Sequence, residues 1–364
     1  MVRRLLRAIR EGGILNGGSV STPLENADFN LTDAGRSVGV VVIGRNEGDR
    51  LMVCLDSILR MASPRLIVYV DSGSSDGSPD RAAARGVHVH RLSADRPFSA
   101  ARARNEGFEL LVGIWDDLEF VQFIDGDCEL DRNWLEQGRR TLEADSGLAA
   151  VCGRTIERYR EATIYNRLCD IEFDVPPGEV GATGGIFMIR RSAFAEVGGM
   201  REGVVAGEEP EMCLRLRRAG WRMHRLAEPM VLHDSAMNRF GQWWTRAVRG
   251  GVAWGIGKEL HGHGSERYCV REVRRTWLWG LVLPGVALAL AWPTLGISIG
   301  VYVLLLAVQA VRIAVASRRG GRSLGDSTLY ALACVISKFA GCVGLIKHRI
   351  DRMRRRGSRI VEYK

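Results

Sequence analysis

The sequence lacks the cysteine patterns of a disulfide-bonded or zinc-binding protein. Its eight cysteines are scattered, and none lies in a C-x-x-C spacing. Neither a disulfide framework nor a zinc site is expected, and a reducing cytosol is the simplest compartment. The arginines at positions 3, 4, 7 and 10 precede no apolar segment of signal-peptide length. A cleaved signal peptide is therefore not expected.

A dinucleotide-binding loop is also missing. No Gly-x-Gly-x-x-Gly lies between the first predicted strand, Val38–Ile43, and the helical pattern that follows from Leu51 to Leu59. Because such a loop carries the pyrophosphate in NAD-binding folds, the sequence argues against an oxidoreductase of that kind.

Basic residues exceed acidic ones, with a formal net charge of +9. The excess is clustered beside apolar segments at Arg3-Arg4, Arg271–Arg275, Arg318–Arg322 and Lys347–Arg356. This placement favours an anionic membrane surface over a nucleic-acid groove, so a membrane is an expected partner and nucleic acid is not. Residues 1–36 are predicted to be a mobile basic extension, with a short surface-binding helix over residues 2–9 as the alternative.

Buried strands alternate with helical patterns from residue 37 to residue 235. Val38–Ile43, Leu66–Val70 and Phe120–Ile124 are apolar runs, the last of which contains Gln122, and apolar residues recur at helical spacing between them. The pattern predicts an α/β fold with a doubly wound, mostly parallel sheet. Ligands bind such sheets beyond the carboxyl ends of the strands, so the polar loops that follow these runs are expected to meet at one edge.

One of these loops contains two carboxylates, Asp125 and Asp127, separated by Gly126. Both are predicted to face one divalent cation, because Mg²⁺ and Mn²⁺ prefer oxygen ligands and leave positions for phosphates. His233 follows the predicted strand Met230–Leu232, and as a nitrogen ligand it would suit Mn²⁺. A lone histidine at a strand end also fits a purely structural role.

The other two loops contain Asn46, Glu47 and the turn Asp71–Gly77, which includes Ser74 and Asp76. A plain turn explains that composition as well as a nucleoside site does. In the functional interpretation, a carboxylate accepts a hydrogen bond from the base. Arg102 and Arg104 on the next helix are predicted to include one residue that neutralises phosphate.

A further acidic group, Glu208 and Glu209, opens a predicted helix. Acids in a first helical turn are ordinarily explained by the helix dipole. The alternative is a general base that deprotonates an acceptor hydroxyl. Gly184 and Gly185 precede this helix and allow a sugar or acceptor to approach the backbone closely.

Taken in order, these motifs resemble family 2 glycosyltransferases with a GT-A fold, over about residues 38–235. The resemblance implies that the Asp71 turn binds the nucleoside, usually uridine, and that Asp125-Gly126-Asp127 binds a metal and the diphosphate. It also implies an inverting transfer, in which the second member of the acidic pair is the base. Here that member is Glu209, where the family usually has aspartate. Processive members carry Gln-x-x-Arg-Trp after the base, whereas this chain has Gln242–Arg246 with different spacing. Transfer of one or a few sugars is therefore expected.

The C-terminal third is apolar and is predicted to associate with a membrane. Residues 236–275 are an Arg- and Trp-rich interfacial segment, and residues 276–350 contain a membrane hairpin, Trp277–Trp292 and Leu295–Val311. A third apolar stretch, Leu329–Ile346, is expected to be interfacial or re-entrant, because spanning would translocate the basic tail at residues 351–364. A buried soluble helical domain is the alternative for the whole region.

Together these features predict an inverting, metal-dependent glycosyltransferase at the cytoplasmic face of the inner membrane. Its expected donor is a nucleotide-diphosphate sugar, preferably a UDP-sugar, and its expected acceptor is a hydroxyl of a lipid-linked or envelope glycan. One rival is a polyprenyl-phosphate glycosyl synthase, whose phosphate acceptor needs no strong base. Another is a catalytically inactive nucleotide-binding scaffold.

Overall fold

The computed structural model describes residues 38–354, in which one nine-stranded sheet is followed by a group of helices. The predicted N-terminal extension and residues 355–364 of the basic tail lie outside the described residues. The strands are β1 (Val38–Gly44), β2 (Ile67–Asp71), β3 (His88–Arg91), β4 (Phe120–Asp125), β5 (Cys128–Leu130), β6 (Leu148–Glu157), β7 (Gly178–Glu179), β8 (Phe187–Arg190) and β9 (Arg222–His233).

Within residues 38–354, seven α-helices pack around the sheet and five more follow it. The first group is α1 (Asp49–Leu59), α2 (Ser78–Ala83), α3 (Ala100–Ile114), α4 (Trp134–Ala144), α5 (Ile164–Phe173), α6 (Arg191–Glu196) and α7 (Glu208–Arg218). The second group is α8 (Phe240–His261), α9 (Val270–Trp277), α10 (Leu283–Ala289), α11 (Ile297–Arg319) and α12 (Leu324–Met353). A π-helical turn, Leu278–Val282, joins α9 to α10.

The sheet order is β3-β2-β1-β4-β8-β6-β9-β5, with β7 paired to β9. The first four strands are parallel, as predicted from their alternation with helices. From β8 onward the sheet is mixed, because β8 inserts antiparallel between β4 and β6. The predicted α/β fold with a C-terminal helical region is confirmed.

The core lies between this sheet and its helices. Six of the seven residues of β1 are buried, as expected for a central parallel strand covered on both faces. Helix α3 approaches the sheet closely at Gly107, where a Cβ atom would lie 2.5 Å from Val41 Cγ1. The close packing fixes α3, and with it the arginines on its first turns, against the strands that end in the polar loops.

The strand ends that carry these loops are in register. Gly44 of β1 pairs with Asp71 of β2, and Ile43 pairs with Asp125 of β4. Beyond β8 in the same sheet, Glu157 at the end of β6 pairs with His233 at the end of β9. The topology therefore delivers the carboxyl ends of β1, β2 and β4 to one edge.

The C-terminal helices contain two segments long and apolar enough to cross a membrane, α11 and α12. The first arm of the predicted hairpin is interrupted by the π-helical turn before α10. The third apolar stretch forms α12, an unbroken helix of 30 residues. The predicted placement of this stretch, interfacial or re-entrant, stays a prediction.

Both ends of α12 contact the rest of the protein. Near its start, Asp326 Oδ1 accepts hydrogen bonds from Arg160 Nη2 at 2.8 Å and Arg167 Nε at 2.6 Å. Near its end, His348 and Arg352 pair with Glu259 of α8 at 3.1 and 3.2 Å. Helix α11 differs from α12, because no residue in its most apolar stretch is buried in the protein.

Candidate active site

The edge at the end of β4 brings acids, a histidine and an arginine together. Gly126 N donates to Ile43 O at 2.8 Å, which turns the chain sharply between Asp125 and Asp127. A Cβ atom on Gly126 would lie 3.3 Å from both Ile43 O and Glu47 Cγ. Gly126 is buried, and its lack of a side chain lets this turn pack against β1. Its contact with the donor stays a prediction.

Asp127 and His233 form the centre of a candidate metal site. Asp127 Oδ2 lies 3.7 Å from His233 Nε2, and the Asp127 side chain is 3% exposed. With Cys128 they make a group whose ligand atoms lie within 4.8 Å of one another. Burial raises the pKa of the Cys128 thiol well above its usual value. Mg²⁺ and Mn²⁺ prefer oxygen ligands to thiolate sulfur, so the carboxylate and the imidazole are the better ligands. Oxygen and nitrogen donors in this combination fit Mn²⁺.

Asp125, the third predicted ligand, lies outside that group of three. Its Oδ1 accepts a hydrogen bond from Arg104 Nη2 at 2.8 Å, and its side chain is 37% exposed. The carboxylate thus stands at the open side of the edge, where it is accessible to a ligand. The structure brings Asp127 and His233 together and sets Asp125 beside a guanidinium.

A residue that the sequence did not indicate, Glu157, holds His233 in place. Glu157 Oε2 lies 3.1 Å from His233 Nδ1 and also accepts from Ser235 N at 3.3 Å. The Glu157 side chain is fully buried. A carboxylate on one ring nitrogen orients the other nitrogen of a metal-binding histidine. Here the second ring nitrogen, Nε2, is directed towards Asp127.

The two arginines of α3, Arg102 and Arg104, have different hydrogen-bond partners. Arg104 donates through Nη2 to Gly185 O at 2.9 Å and through Nη1 to Glu208 Oε1 at 3.3 Å, in addition to its bond to Asp125. It therefore joins the acidic edge, the glycine loop and the start of α7. Its side chain is 3% exposed.

Arg102 is the other arginine that the sequence left open for the phosphate, and its contacts in the structure are with the loop before α3 and with Glu106. Its Nε donates to Glu106 Oε1 at 2.6 Å and its Nη1 to Ser93 O at 2.9 Å, which fastens the loop before α3. Two residues along a helix correspond to a rotation of about 200°, so Arg102 and Arg104 cannot face the same ligand.

Glu209 is buried, with 4% of its surface exposed. Its Oε1 accepts hydrogen bonds from Thr183 N at 2.6 Å, Thr183 Oγ1 at 2.7 Å and Cys213 Sγ at 2.9 Å. Removal from water raises the pKa of this carboxyl above its usual value. Glu208, by contrast, is bound to Arg104 and keeps 18% of its side chain exposed.

The predicted nucleoside loops are bonded to each other. Asn46 N donates to Ser74 Oγ at 2.9 Å, and Ser75 N donates to Asn46 Oδ1 at 2.8 Å. Asp76 Oδ2 accepts from Gly48 N at 2.9 Å. These contacts hold the loop after β1 against the loop after β2, so Asn46, Ser74 and Asp76 shape the loops before any ligand binds.

Asp71 and Glu47 are largely withdrawn from solvent. Asp71 Oδ2 accepts from Gly73 N and Ser74 N, both at 3.0 Å, and Oδ1 accepts from Tyr69 OH at 3.1 Å. Asp71 is 2% exposed, and both of its carboxylate oxygens accept hydrogen bonds from within the protein. That it also accepts one from a nucleobase stays a prediction. The Glu47 side chain is 8% exposed and pairs with Arg50 at 2.7 Å.

A cavity of about 310 Å³ opens beside the acidic edge. Asp125, His233 and the loop Thr183–Gly185 line one part of it. Further lining residues, which the sequence did not indicate, are Cys152, Thr155, Glu172, Phe173, Arg225 and Arg246. Arg246 belongs to Gln242–Arg246, the segment compared above with the processive motif, so α8 contributes a cation to this cavity.

The sequence model of glycosyl transferase family 2 matches residues 39–198. This range includes the loops after β1 and β2, the pair Asp125 and Asp127, and Gly184-Gly185. Over these residues the chain is similar to family 2 glycosyltransferases, and its fold is of the GT-A type. Its architecture is similar to that of the mannosyltransferase PcManGT from Pyrobaculum calidifontis, solved in complex with GDP-Man and Mn²⁺. That comparison covers 96% of this chain and 95% of the other, at a TM-score of 0.53 and 17% identity.

Two curated relatives agree with this assignment. Glycosyltransferase AglE of Haloferax volcanii is 24% identical over 258 residues, which are 67% of this chain and 80% of the relative. The pre-mycofactocin glycosyltransferase of Mycobacterium tuberculosis is 27% identical over 276 residues, which are 73% of this chain and 54% of the relative. The chain thus spans about half the length of the mycobacterial protein.

Proposed function

We propose that this chain transfers a sugar from a UDP-sugar to a hydroxyl of a lipid-linked or envelope glycan, with inversion, at the cytoplasmic face of the membrane. Glycosyl transfer from a nucleotide sugar is the activity of its family. The identity of the nucleotide, the acceptor and the membrane face are the proposed parts. The observation that carries the proposal is the meeting of Asp125, Asp127, His233 and Arg104 with the acidic start of α7.

Asp127 and His233 would hold the divalent cation, with Asp125 beside them. The cation would neutralise negative charge on the diphosphate of the donor. Arg104 is a second positive group at the same edge, and its bonds to Asp125 and Gly185 O fix its guanidinium in place. A guanidinium held in this way stabilises phosphate oxygens without first having to be ordered.

Glu209 is the proposed general base. Its raised pKa increases its affinity for a proton, as removal of a hydroxyl proton requires. Three hydrogen bonds fix Oε1, and Thr183, which makes two of them, also lines the cavity beside the acidic edge. Glu208 is assigned the role of holding Arg104, because its carboxylate is engaged with that guanidinium.

The contacts of α12 support placement on a membrane surface. A helix of 30 residues is about 45 Å long, enough to cross a bilayer. Its two ends, however, pair with Arg160 and Arg167 of the catalytic domain and with Glu259 of α8. A helix held to the same protein body at both ends is suited to lie along the interface, and the unburied α11 is suited to enter the bilayer.

The direct test is a donor screen with the purified full chain. Nucleoside-diphosphate release is measured with a panel of nucleotide sugars, with Mn²⁺, with Mg²⁺ and with a chelator, in the presence of membrane lipid extract. We expect release that depends on the cation and is lost in Asp127→Ala. The matched control is Asp117→Asn, which changes an exposed acid away from the edge. Equal release by wild type and Asp127→Ala with every donor would refute the proposed site.

A further inference from the structure

A second cavity, lined mainly by basic side chains, lies at the junction of α8, α9 and α12. A cavity of about 730 Å³ is lined there by one acidic side chain, Glu266, and by six basic ones. The basic residues are Lys258, Arg267, Arg271, Arg274, Arg275 and Arg349. Five of these basic residues lie between residues 258 and 275, on α8, on α9 and in the segment that joins them, and the fold adds Arg349 from the distant helix α12.

The same cavity changes from charged to apolar along its length. Leu278 and Val282, which belong to the π-helical turn that leads into α10, line its other part. Both are large exposed hydrophobic residues, at 43% and 49% exposure. The transition occurs at Trp277, whose ring lies 5.3 Å beneath the Arg349 guanidinium. A tryptophan between basic and apolar surfaces is typical of a membrane interface.

We propose that this cavity binds the phosphate headgroup of an anionic membrane lipid, with its hydrocarbon chain along Leu278 and Val282. Clustered arginines attract lipid phosphates, and a guanidinium can donate two hydrogen bonds to one phosphate. A small soluble anion would gain nothing from the apolar part. A zwitterionic lipid would gain little from six basic side chains.

The cavity also continues towards the catalytic domain. A neighbouring cavity of about 580 Å³ shares Glu266, Arg267 and Arg271 with it and reaches Gly207 and Pro210 at the start of α7. A lipid phosphate bound at the basic cavity would therefore lie on a continuous surface with the helix that carries Glu208 and Glu209. Both a structural phospholipid and a lipid-phosphate-linked substrate have this chemistry, and the experiment separates these two sources.

The test is lipid binding by the detergent-purified full chain, measured by native mass spectrometry. The probes are phosphatidylglycerol, a polyprenyl phosphate, phosphatidylcholine and inorganic phosphate. The test variant is Arg271→Gln with Arg275→Gln, and the control is Arg318→Gln with Arg319→Gln, which removes two exposed charges from a different basic cluster. Because all four side chains are exposed, both variants are expected to fold, which circular dichroism verifies.

We expect the anionic lipids to bind more tightly than phosphatidylcholine, and the test variant to weaken them by about 25-fold, or about fivefold per arginine. The control should bind as wild type does. Preference for polyprenyl phosphate would assign the site to a substrate, and equal binding of phosphatidylglycerol would assign it to bulk lipid. Equal weakening in both variants, equal binding of phosphatidylcholine, or displacement of lipid by inorganic phosphate would overturn the inference. Lipid binding is measured without any sugar transfer. A negative result for lipid binding is therefore distinct from failure of the proposed transfer reaction.

Discussion

Replacement of Glu209 by glutamine isolates its capacity to take a proton. The glutamine carbonyl can accept the same hydrogen bonds from Thr183 and Cys213, so the start of α7 should keep its position. The variant loses the carboxylate and little else. Because general-base catalysis contributes about 100- to 10,000-fold, we expect kcat to fall by that factor while KM for the donor stays close to the wild-type value.

The assay is nucleoside-diphosphate release under saturating donor, with Glu228→Gln as a control that changes an exposed glutamate on β9. Activity of Glu209→Gln equal to wild type would refute the assignment of the base. It would also favour a phosphate acceptor, which needs no deprotonation, over a hydroxyl acceptor.

The same variant, Glu209→Gln, should change how the free energy of unfolding depends on pH. Burial raises the pKa of Glu209 in the folded protein above its unfolded value. Its contribution to stability is therefore greatest at low pH and is lost as the pH rises through the folded pKa. Relative to wild type, Glu209→Gln should become more stable as the pH is raised across that range, measured by thermal unfolding in detergent. A difference that does not change with pH would contradict the burial argument.

Three further changes test the other parts of the site and the fold. Glu157→Gln should weaken Mn²⁺ binding by about 10- to 100-fold in a calorimetric titration, because His233 loses its orienting carboxylate; unchanged affinity would exclude that role. Arg104→Lys should raise KM for the donor about tenfold, because an ammonium cannot bridge three partners, and an unchanged KM would remove Arg104 from the donor site. Gly344→Ala should destabilise the chain by about 1–3 kcal/mol, since its Cβ would lie 2.1 Å from a carbonyl oxygen of α8, whereas Gly300→Ala has open space and should not lower the unfolding midpoint.

The catalytic edge was predictable where the topology of the sheet determines it. The apolar runs before Asp71 and Asp125 are long enough to be buried parallel strands, and the ends of such strands meet regardless of detail. His233 was found in the same way, as a polar residue at the end of a strand. These predictions depend on local pattern and on one general rule about parallel sheets.

The contacts within that edge were not predictable from the same pattern. Glu157 reaches His233 through the pairing of β6 with β9, which are separated by more than sixty residues of chain. Nothing local marks it as different from a surface glutamate. The choice between Arg102 and Arg104 depends on which face of α3 packs on the sheet, and the sequence alone left both open. Asp71 appeared available for a ligand because its bonds to its own turn depend on backbone geometry.

The central claim is that the edge formed by Asp127, His233 and Arg104 binds the diphosphate of the donor together with a divalent cation. The most direct measurement is calorimetric binding of uridine diphosphate to the full chain, with Mn²⁺ and with a chelator. We expect binding that requires Mn²⁺ and is abolished in Asp127→Ala, while Asp117→Asn binds as wild type does. Binding of the same strength with the chelator, or in Asp127→Ala, would contradict it.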